Sequence, residues 1–412
     1  MTVLYVYDGH WPLNATRVGK HVDALLRAGH RVHLLSRSMR GLPRREVKGD
    51  LSVARMPYLS IPVLNRVVNY PLFLNPAWLW HIWWHAHETR PSCIVVRDLP
   101  LAPAALLVGK MLGVPVHYDM AEVYPLGMLS ILPHELTPAI RVVRATRAAY
   151  AVERLVLRGA ATTFVVSEES LARCRELGVA ADRVVLVGNT PADAEALRAP
   201  WPVPDDMRDV AGQPVAVFVG NLFADRGLDH AIDAMAVVVR ELPAATLVVI
   251  GEGRDRARLE AQIARLGLGS RVRLLGWRHH SAQPAYLRHS QVGVLPYPST
   301  PHTCITLPNK LFDYMAAGLP VVAADIPPIR RIVRDADVGL LTPPGDHVAF
   351  GKALLTLFKD QEMRARYGRN GLDAIAGRYS WKQDERRLVE RIERCSPVRE
   401  PSAASHATAR LR

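Results

Sequence analysis

Two successive series of short apolar runs, each followed by stretches with helical spacing, constrain this chain of 412 residues more than any other feature. In the first half, segments 3–7, 32–36, 93–97, 115–118, 163–166 and 184–187 read as strands, and 15–28 reads as a helix closed by Gly29. The second half repeats the pattern, with strands at 215–219, 245–250, 272–275, 292–296 and 321–324 and helices at 229–240 and 254–266. Such alternation predicts an α/β fold in which helices cover both faces of parallel sheets. Between the series, 190–213 crowds Pro191, Pro200, Pro202 and Pro204 beside Asp205, Asp206 and Asp209, and reads as a hinge. The expected organisation is a domain over 1–195, a linker over 196–213 and a second domain over 214–375. A helix near 376–395 is expected to pack back on the first domain, followed by a disordered tail over 396–412. Two such halves put a cleft between them, and ligands of these sheets bind at the C-terminal ends of the strands.

One segment of the second half already carries chemistry. From Leu307 to Asp325 the sequence reads as a loop, a helix and a buried strand. Pro308 suits the first turn, Gly318 suits the position just past the end, and 321–324 is apolar throughout. Lys310 and Asp313, three apart, share a helix face, while Leu311 and Met315, four apart, point toward a core. A helix N-terminus with a cation and a carboxylate on its exposed side can hold a phosphate and a sugar hydroxyl together.

The formal net charge of +13 calls for an anionic partner or a solvated arginine surface, and both readings stay open. Nucleic acid is not expected, because the basic residues lie dispersed on helical patterns without interleaved aromatics or a zinc finger. Cys93, Cys174, Cys304 and Cys395 lie far apart with no C-x-x-C pair, which fits a reducing cytosol, and the first residues open directly with a strand-like run. A cytoplasmic protein is expected, lying against the inner face of a membrane if it uses one. No segment reaches the roughly 18 uncharged apolar residues of a spanning helix. The closest, 70–85, is interrupted by Asn75, Pro76, His81 and His85 yet holds Trp78, Trp80, Trp83 and Trp84. It reads either as a membrane-docking helix, with Trp80 and Trp83 as anchors, or as a core helix with a heavy aromatic load. Arg37, Arg40, Arg44, Arg45 and Lys48 lie just upstream and would attract anionic lipid if they share its face.

Four landmarks appear in order along the second half: 217–222 around Gly220 and Asn221, followed by Arg226-Gly227-Leu228; 250–254 around Gly251 and Gly253; 271–277, ending in Gly276-Trp277; and the segment 308–318 described above. Read together, they resemble the retaining glycosyltransferases of family 4, whose GT-B fold sets two Rossmann-like domains facing a central cleft. The resemblance implies a nucleoside diphosphate sugar donor on the second domain and no other cofactor. Trp277 and Arg278 would lie near the base and Asp313 on the ribose. Gly220, Asn221, Arg226, Pro308, Asn309 and Lys310 would surround the diphosphate, Arg226 and Lys310 offsetting the charge of the departing group. The chain departs from commoner members at Ile305, eight residues before Asp313, where a glutamate is usual, and at Asn221, where an arginine is frequent. A branch of the family with the pattern PNKLF(E/D)YMAAG shares both features.

The first half resembles the family less closely, as an acceptor domain does. Its segment 116–125 looks like the one after the family's fourth strand, with Ala121 where many members have a histidine. Asp119 and Glu122 remain as carboxylates that could orient the acceptor hydroxyl, and His10 follows the first strand as an acceptor contact. The acceptor expected is a saccharide or a lipid-linked molecule, with an anionic membrane surface as a further partner. A nucleotide-sugar epimerase of the same fold and a catalytically silent binding homologue are the alternatives. His81, His85 and Glu88 have a spacing that could bind metal, and His279-His280 is a second pair, but no H-E-x-x-H accompanies them and no metal is expected. Neither G-x-G-x-x-G after the first strand nor G-x-x-x-x-G-K-[ST] occurs, which excludes the usual dehydrogenase and NTPase readings.

Overall fold

The computed structural model describes residues 1–396 except Asn14, 71–72 and 130–145, with the backbone alone at Arg66, Met128, Leu129 and Thr146. The expected tail from 397 onward lies outside the described residues, as do Pro71 and Leu72 of the tryptophan-rich segment. Contacts divide the chain into two units. The first comprises Met1–Val166, Ser170–Val187 and the residues from Glu385 onward; the second comprises Ser167–Glu169 and Gly188–Asp384.

The first unit is an eight-stranded sheet of β1 (Thr2–Val6), β2 (Arg31–Ser36), β3 (Arg45–Lys48), β4 (Leu51–Arg55), β5 (Cys93–Arg97), β6 (Val116–Met120), β7 (Thr162–Val165) and β8 (Val184–Leu186). Its order is β3-β4-β2-β1-β5-β6-β7-β8, parallel except for the β3–β4 hairpin. The chain winds outward from β1 in one direction and from β5 in the other, so the switch point lies between those two strands. Its helices include α1 (Thr16–Arg27), α2 (Pro62–Asn69) and α3 (Pro76–Thr89). The expected α1 is found within a residue at each end, and Gly29, at φ 79°, closes it as a left-handed cap.

The second unit is a parallel sheet of β9 (Val215–Val219), β10 (Thr246–Ile250), β11 (Val272–Gly276), β12 (Val292–Leu295), β13 (Val321–Ala324) and β14 (Gly339–Thr342). The order β11-β10-β9-β12-β13-β14 places the switch point between β9 and β12. Its helices include α4 (Leu228–Glu241) and α5 (Asn309–Ala316). Val217, Val248, Leu295, Leu311, Tyr314 and Met315 share one buried cluster, so α5 packs through Leu311 and Met315 on the sheet as its spacing predicts.

Three expectations change. Segment 196–213 is no free linker: Leu197, Met207 and Val210 are buried in the core of the second unit, because three apolar side chains among the prolines suffice to pin short turns to it. Ser396, expected at the head of the tail, is buried with its Oγ 3.3 Å from His117 Nε2. The tryptophan-rich helix takes the core reading on one face only, and its other face is exposed. Asn75 caps it by accepting from the Ala77 amide at 2.9 Å, and Trp78 is fully buried and donates to the Asn69 carbonyl at 3.3 Å. Trp80 and Trp84, four apart, are 60% and 48% exposed, while Trp83 is half-buried, so Trp84 takes the place expected of Trp83. No helix among the described residues is long and apolar enough to cross a membrane.

Candidate active site

At the C-terminal end of β9 the backbone turns through Gly220, at φ 144°. A Cβ there would lie 2.7 Å from the Lys310 ammonium, so the missing side chain makes room for that nitrogen. Lys310 stands in the first turn of α5, which Pro308 enters as its cap with φ −74° and ψ 137°. The Tyr314 hydroxyl fastens α5 to β9, accepting from the Val219 amide and donating to the Val217 carbonyl, both at 3.2 Å.

The expectation that Lys310 and Asp313 share an exposed side is corrected for the lysine, which is only 9% exposed. Its Nζ lies 3.6 Å from the centroid of the Phe218 ring and 5.5 Å from that of Tyr297. No carboxylate among the described residues is within ion-pair distance of it. Burial first, and the Arg226 charge second, push this ammonium well below its ordinary pKa, with Asp225 and Asp313 opposing from farther away. Arg226 ends a short turn, pairs with Asp225 at 3.4 Å, and lies over the same Tyr297 ring at 5.7 Å. Gly227, at φ 67°, closes that turn where a Cβ would overlap the Pro296 carbonyl. The structure thus brings Gly220, Arg226 and Lys310 together at the switch point of the second sheet.

Asn309 is exposed beside Lys310; the Leu311 amide turns back to the Pro308 carbonyl at 3.3 Å, while the Asn309 and Lys310 amides have no backbone carbonyl among the described residues. Asp313 is half-buried one turn on, and Asn221 is exposed just past Gly220. Trp277 is exposed, and Arg278 donates to Asp206 at 2.9 Å and to the Tyr286 hydroxyl at 3.1 Å. Two cations, an aromatic floor and unbonded amides form a receptor for a polyanion such as a diphosphate. Sequence reasoning missed the floor, since Phe218 reads as a residue of the strand before Gly220 and Tyr297 lies just past the strand 292–296 with no role assigned.

In the first unit, Glu122 is exposed just past β6. His10 follows β1 with its Nδ1 buried and unpartnered, and burial, then the nearby Arg37, lower its pKa and keep the ring neutral. Asp119 departs from its expected role. It is fully buried, and Arg17 holds it through Nε at 3.0 Å and Nη2 at 2.7 Å, with Nη1 donating to the Val187 carbonyl. Burial opposes its charge, but Arg17 and the neighbouring His21 outweigh it and hold the carboxyl down to about 2. A carboxylate so enclosed anchors the end of β6 and is not open to an acceptor.

The sequence reading also missed an acid pair beside His10. Asp8 follows β1 and Asp98 follows β5, on either side of the switch point. Burial and then the Asp98 charge raise Asp8, while burial, against the Arg97 charge and with Glu122 and Asp119 adding to it, raises Asp98. Arg97 reaches Asp98 at 3.2 Å, while Asp98 Oδ1 is buried without a partner. Asp98 directly follows its strand, in the same kind of post-strand loop from which His10 and Glu122 are read. No group of three or more metal-ligating side chains among the described residues could hold a metal ion.

Comparison with known proteins gives concordant results for both units. Residues 206–373 match the family model of the glycosyl transferases group 1, and residues 15–190 match that of the glycosyl transferase 4-like domain. The 2-deoxystreptamine glucosyltransferase of Streptomyces kanamyceticus is 28% identical over 82% of this chain and 87% of its own. The phosphatidyl-myo-inositol mannosyltransferase of Mycobacterium leprae is 33% identical over 42% of this chain and 45% of its own. Among solved structures, sucrose-phosphate synthase from Thermosynechococcus elongatus aligns with TM-score 0.77 over 96% of this chain and 98% of its own, at 18% identity. Anabaena HepE, solved in complex with UDP-glucose, aligns with TM-score 0.70 over 96% of this chain and all of its own, also at 18% identity. With two Rossmann-like sheets and a matching family model on each, the chain belongs to the family 4-like glycosyltransferases of GT-B fold and is a transferase.

Proposed function

We propose that the protein moves a sugar from a nucleoside diphosphate sugar to an acceptor hydroxyl, with retention at the anomeric carbon. The buried Lys310 ammonium, set beside Arg226 with no carboxylate among the described residues within ion-pair distance, carries the reading. A diphosphate supplies the missing negative charge, and the same cations stabilise the charge that grows on the departing nucleoside diphosphate. Asn309 and the amides that follow Pro308 hold a phosphate oxygen, and Gly220 and Asn221 let the backbone approach it. Asp313 takes the ribose hydroxyls, and Trp277 and Arg278 border the base. His10, as a neutral imidazole, and Glu122 orient the acceptor hydroxyl. These cations do the work a metal does in other transferases, so no metal or further cofactor takes part. The acceptor is a saccharide or a lipid-linked precursor in cell-surface glycoconjugate synthesis, handled at the cytoplasmic face of the membrane. The named activities of the two relatives and the UDP-glucose of HepE support a sugar nucleotide donor.

A melting-temperature screen with UDP-, GDP-, ADP- and dTDP-sugars tests the donor. One class is expected to raise the midpoint of the wild-type protein and to leave Lys310→Met unmoved. A panel without any shift contradicts the reading, as does conversion of the donor to another sugar nucleotide without acceptor. Proton NMR of the transferred sugar should show the anomeric configuration of the donor.

A further inference from the structure

A cavity of about 660 Å³ in the first unit lies between the end of β4 and the exposed face of α3, built from residues to which the transferase reading gives no role. Its charged wall is Arg44, Arg45 and Arg55, and none of its lining residues is acidic. Arg44 is exposed and has no side-chain partner among the described residues. Arg45 has an exposed ion pair with Glu88 at 3.3 Å. Arg55 is 2% exposed, and although Glu46 and the Pro43 carbonyl take its terminal nitrogens, its Nε is buried without a partner. His81 and His85 complete the polar wall as neutral imidazoles, since burial first of all lowers them to about 3 and about 4. The positive charge of the cavity therefore comes from arginine alone.

The rim is apolar. Trp80 and Trp84 stand over the cavity with ring centroids 5.9 Å apart. The adjoining α2 turns Val63, 73% exposed, and Val67 to solvent, and Ile61 and Leu74 flank it. Exposed aliphatic and indole side chains around a pocket of guanidinium groups match the profile of a bilayer surface, where tryptophan settles at headgroup depth and arginine meets phosphate.

We infer that this cavity is a binding site for the phosphate headgroup of an anionic phospholipid, with Trp80 and Trp84 seated in the bilayer interface around it. Charge complementarity selects this occupant, since three arginines and no acid line the pocket, Arg44 has no counter-ion among the described residues, and the chain carries +13. The inference rests on the first unit alone and stands or falls separately from the donor reading.

The test is flotation of the full-length protein with two kinds of vesicle: phosphatidylcholine alone, and equal parts phosphatidylcholine and phosphatidylglycerol. The wild-type protein should bind the anionic vesicles about tenfold or more tightly than the neutral ones. Arg44→Glu, and Trp80→Ala combined with Trp84→Ala, should each cost about tenfold in that binding. Both alter exposed residues, so an unchanged melting temperature checks that the fold is kept. Equal binding to both vesicles, or no loss in the variants, overturns the inference. A melting-point rise with inorganic phosphate but no vesicle binding would assign the cavity to a soluble anion. Concentration-dependent self-association abolished by the tryptophan variant, again without vesicle binding, would assign the face to a second copy of the chain. Sugar-nucleotide binding in the same samples should be untouched by these variants. Its absence in the wild-type protein would defeat the donor reading and leave the lipid result standing.

Discussion

At the scale of single residues, the carboxylates of the first unit divide by what reaches them. Asp119 has Arg17 against both oxygens and stays ionised down to about 2. Its folded value lies below the ordinary carboxylate value of about 3.9, so its contribution is fully present above that value and is lost as pH falls toward 2. Removing the guanidinium strands a buried charge, and Arg17→Ala should cost about 3–5 kcal/mol in urea unfolding at neutral pH. Asp8 has the opposite sign. Its folded value is raised, so ionising it opposes folding, and the penalty grows as pH rises from the ordinary carboxylate range to the raised value. Asp8→Asn should therefore gain melting temperature over wild type progressively through that window, and a variant less stable at every pH would refute the assignment. Following strand ends finds His10, Glu122 and, by the same rule, Asp98. Arg17 gives no such signal: it lies with Lys20 and His21 on the buried side of α1, where polar residues mimic a solvent face.

Secondary-structure elements were legible wherever burial imposes a period. The strands 93–97 and 215–219 stand where the sequence places them, because both faces of a parallel strand are covered and its buried positions, all but the last in each, must be apolar. The β3–β4 hairpin escaped for the reverse reason: Arg45–Lys48 is exposed at every position, so no alternation marks it. In α3 the four tryptophans cannot be sorted by type, only by face. Trp78→Ala should cost about 3–5 kcal/mol in denaturant unfolding, because it empties core volume. Trp80→Ala should stay within about 0.5 kcal/mol of wild type, and a similar loss at both positions would contradict the faces described.

For the molecule as a whole, two parallel sheets covered by helices were readable from the alternation of strands and helices, whereas the order of the strands and the fate of 196–213 were not. Prolines and aspartates there look like solvent, and only the packing of Leu197, Met207 and Val210 shows which core claims them. The donor motif was likewise legible as a motif but not as a buried charge, since helix-face logic turns Lys310 outward while the vacancy at Gly220 draws it in. That charge is the centre of the account. In the free protein Lys310 sits below its ordinary value, and a bound diphosphate raises it, so binding takes up a proton and affinity falls as pH rises through the interval between the two values. Calorimetry in buffers of different ionisation heat measures this directly, titrating the nucleoside diphosphate that the melting screen selects. The account predicts proton uptake by the wild-type protein across that interval, with Lys310→Met showing none and binding roughly 10- to 100-fold more weakly. Equal affinity and equal proton uptake in the two proteins would contradict it.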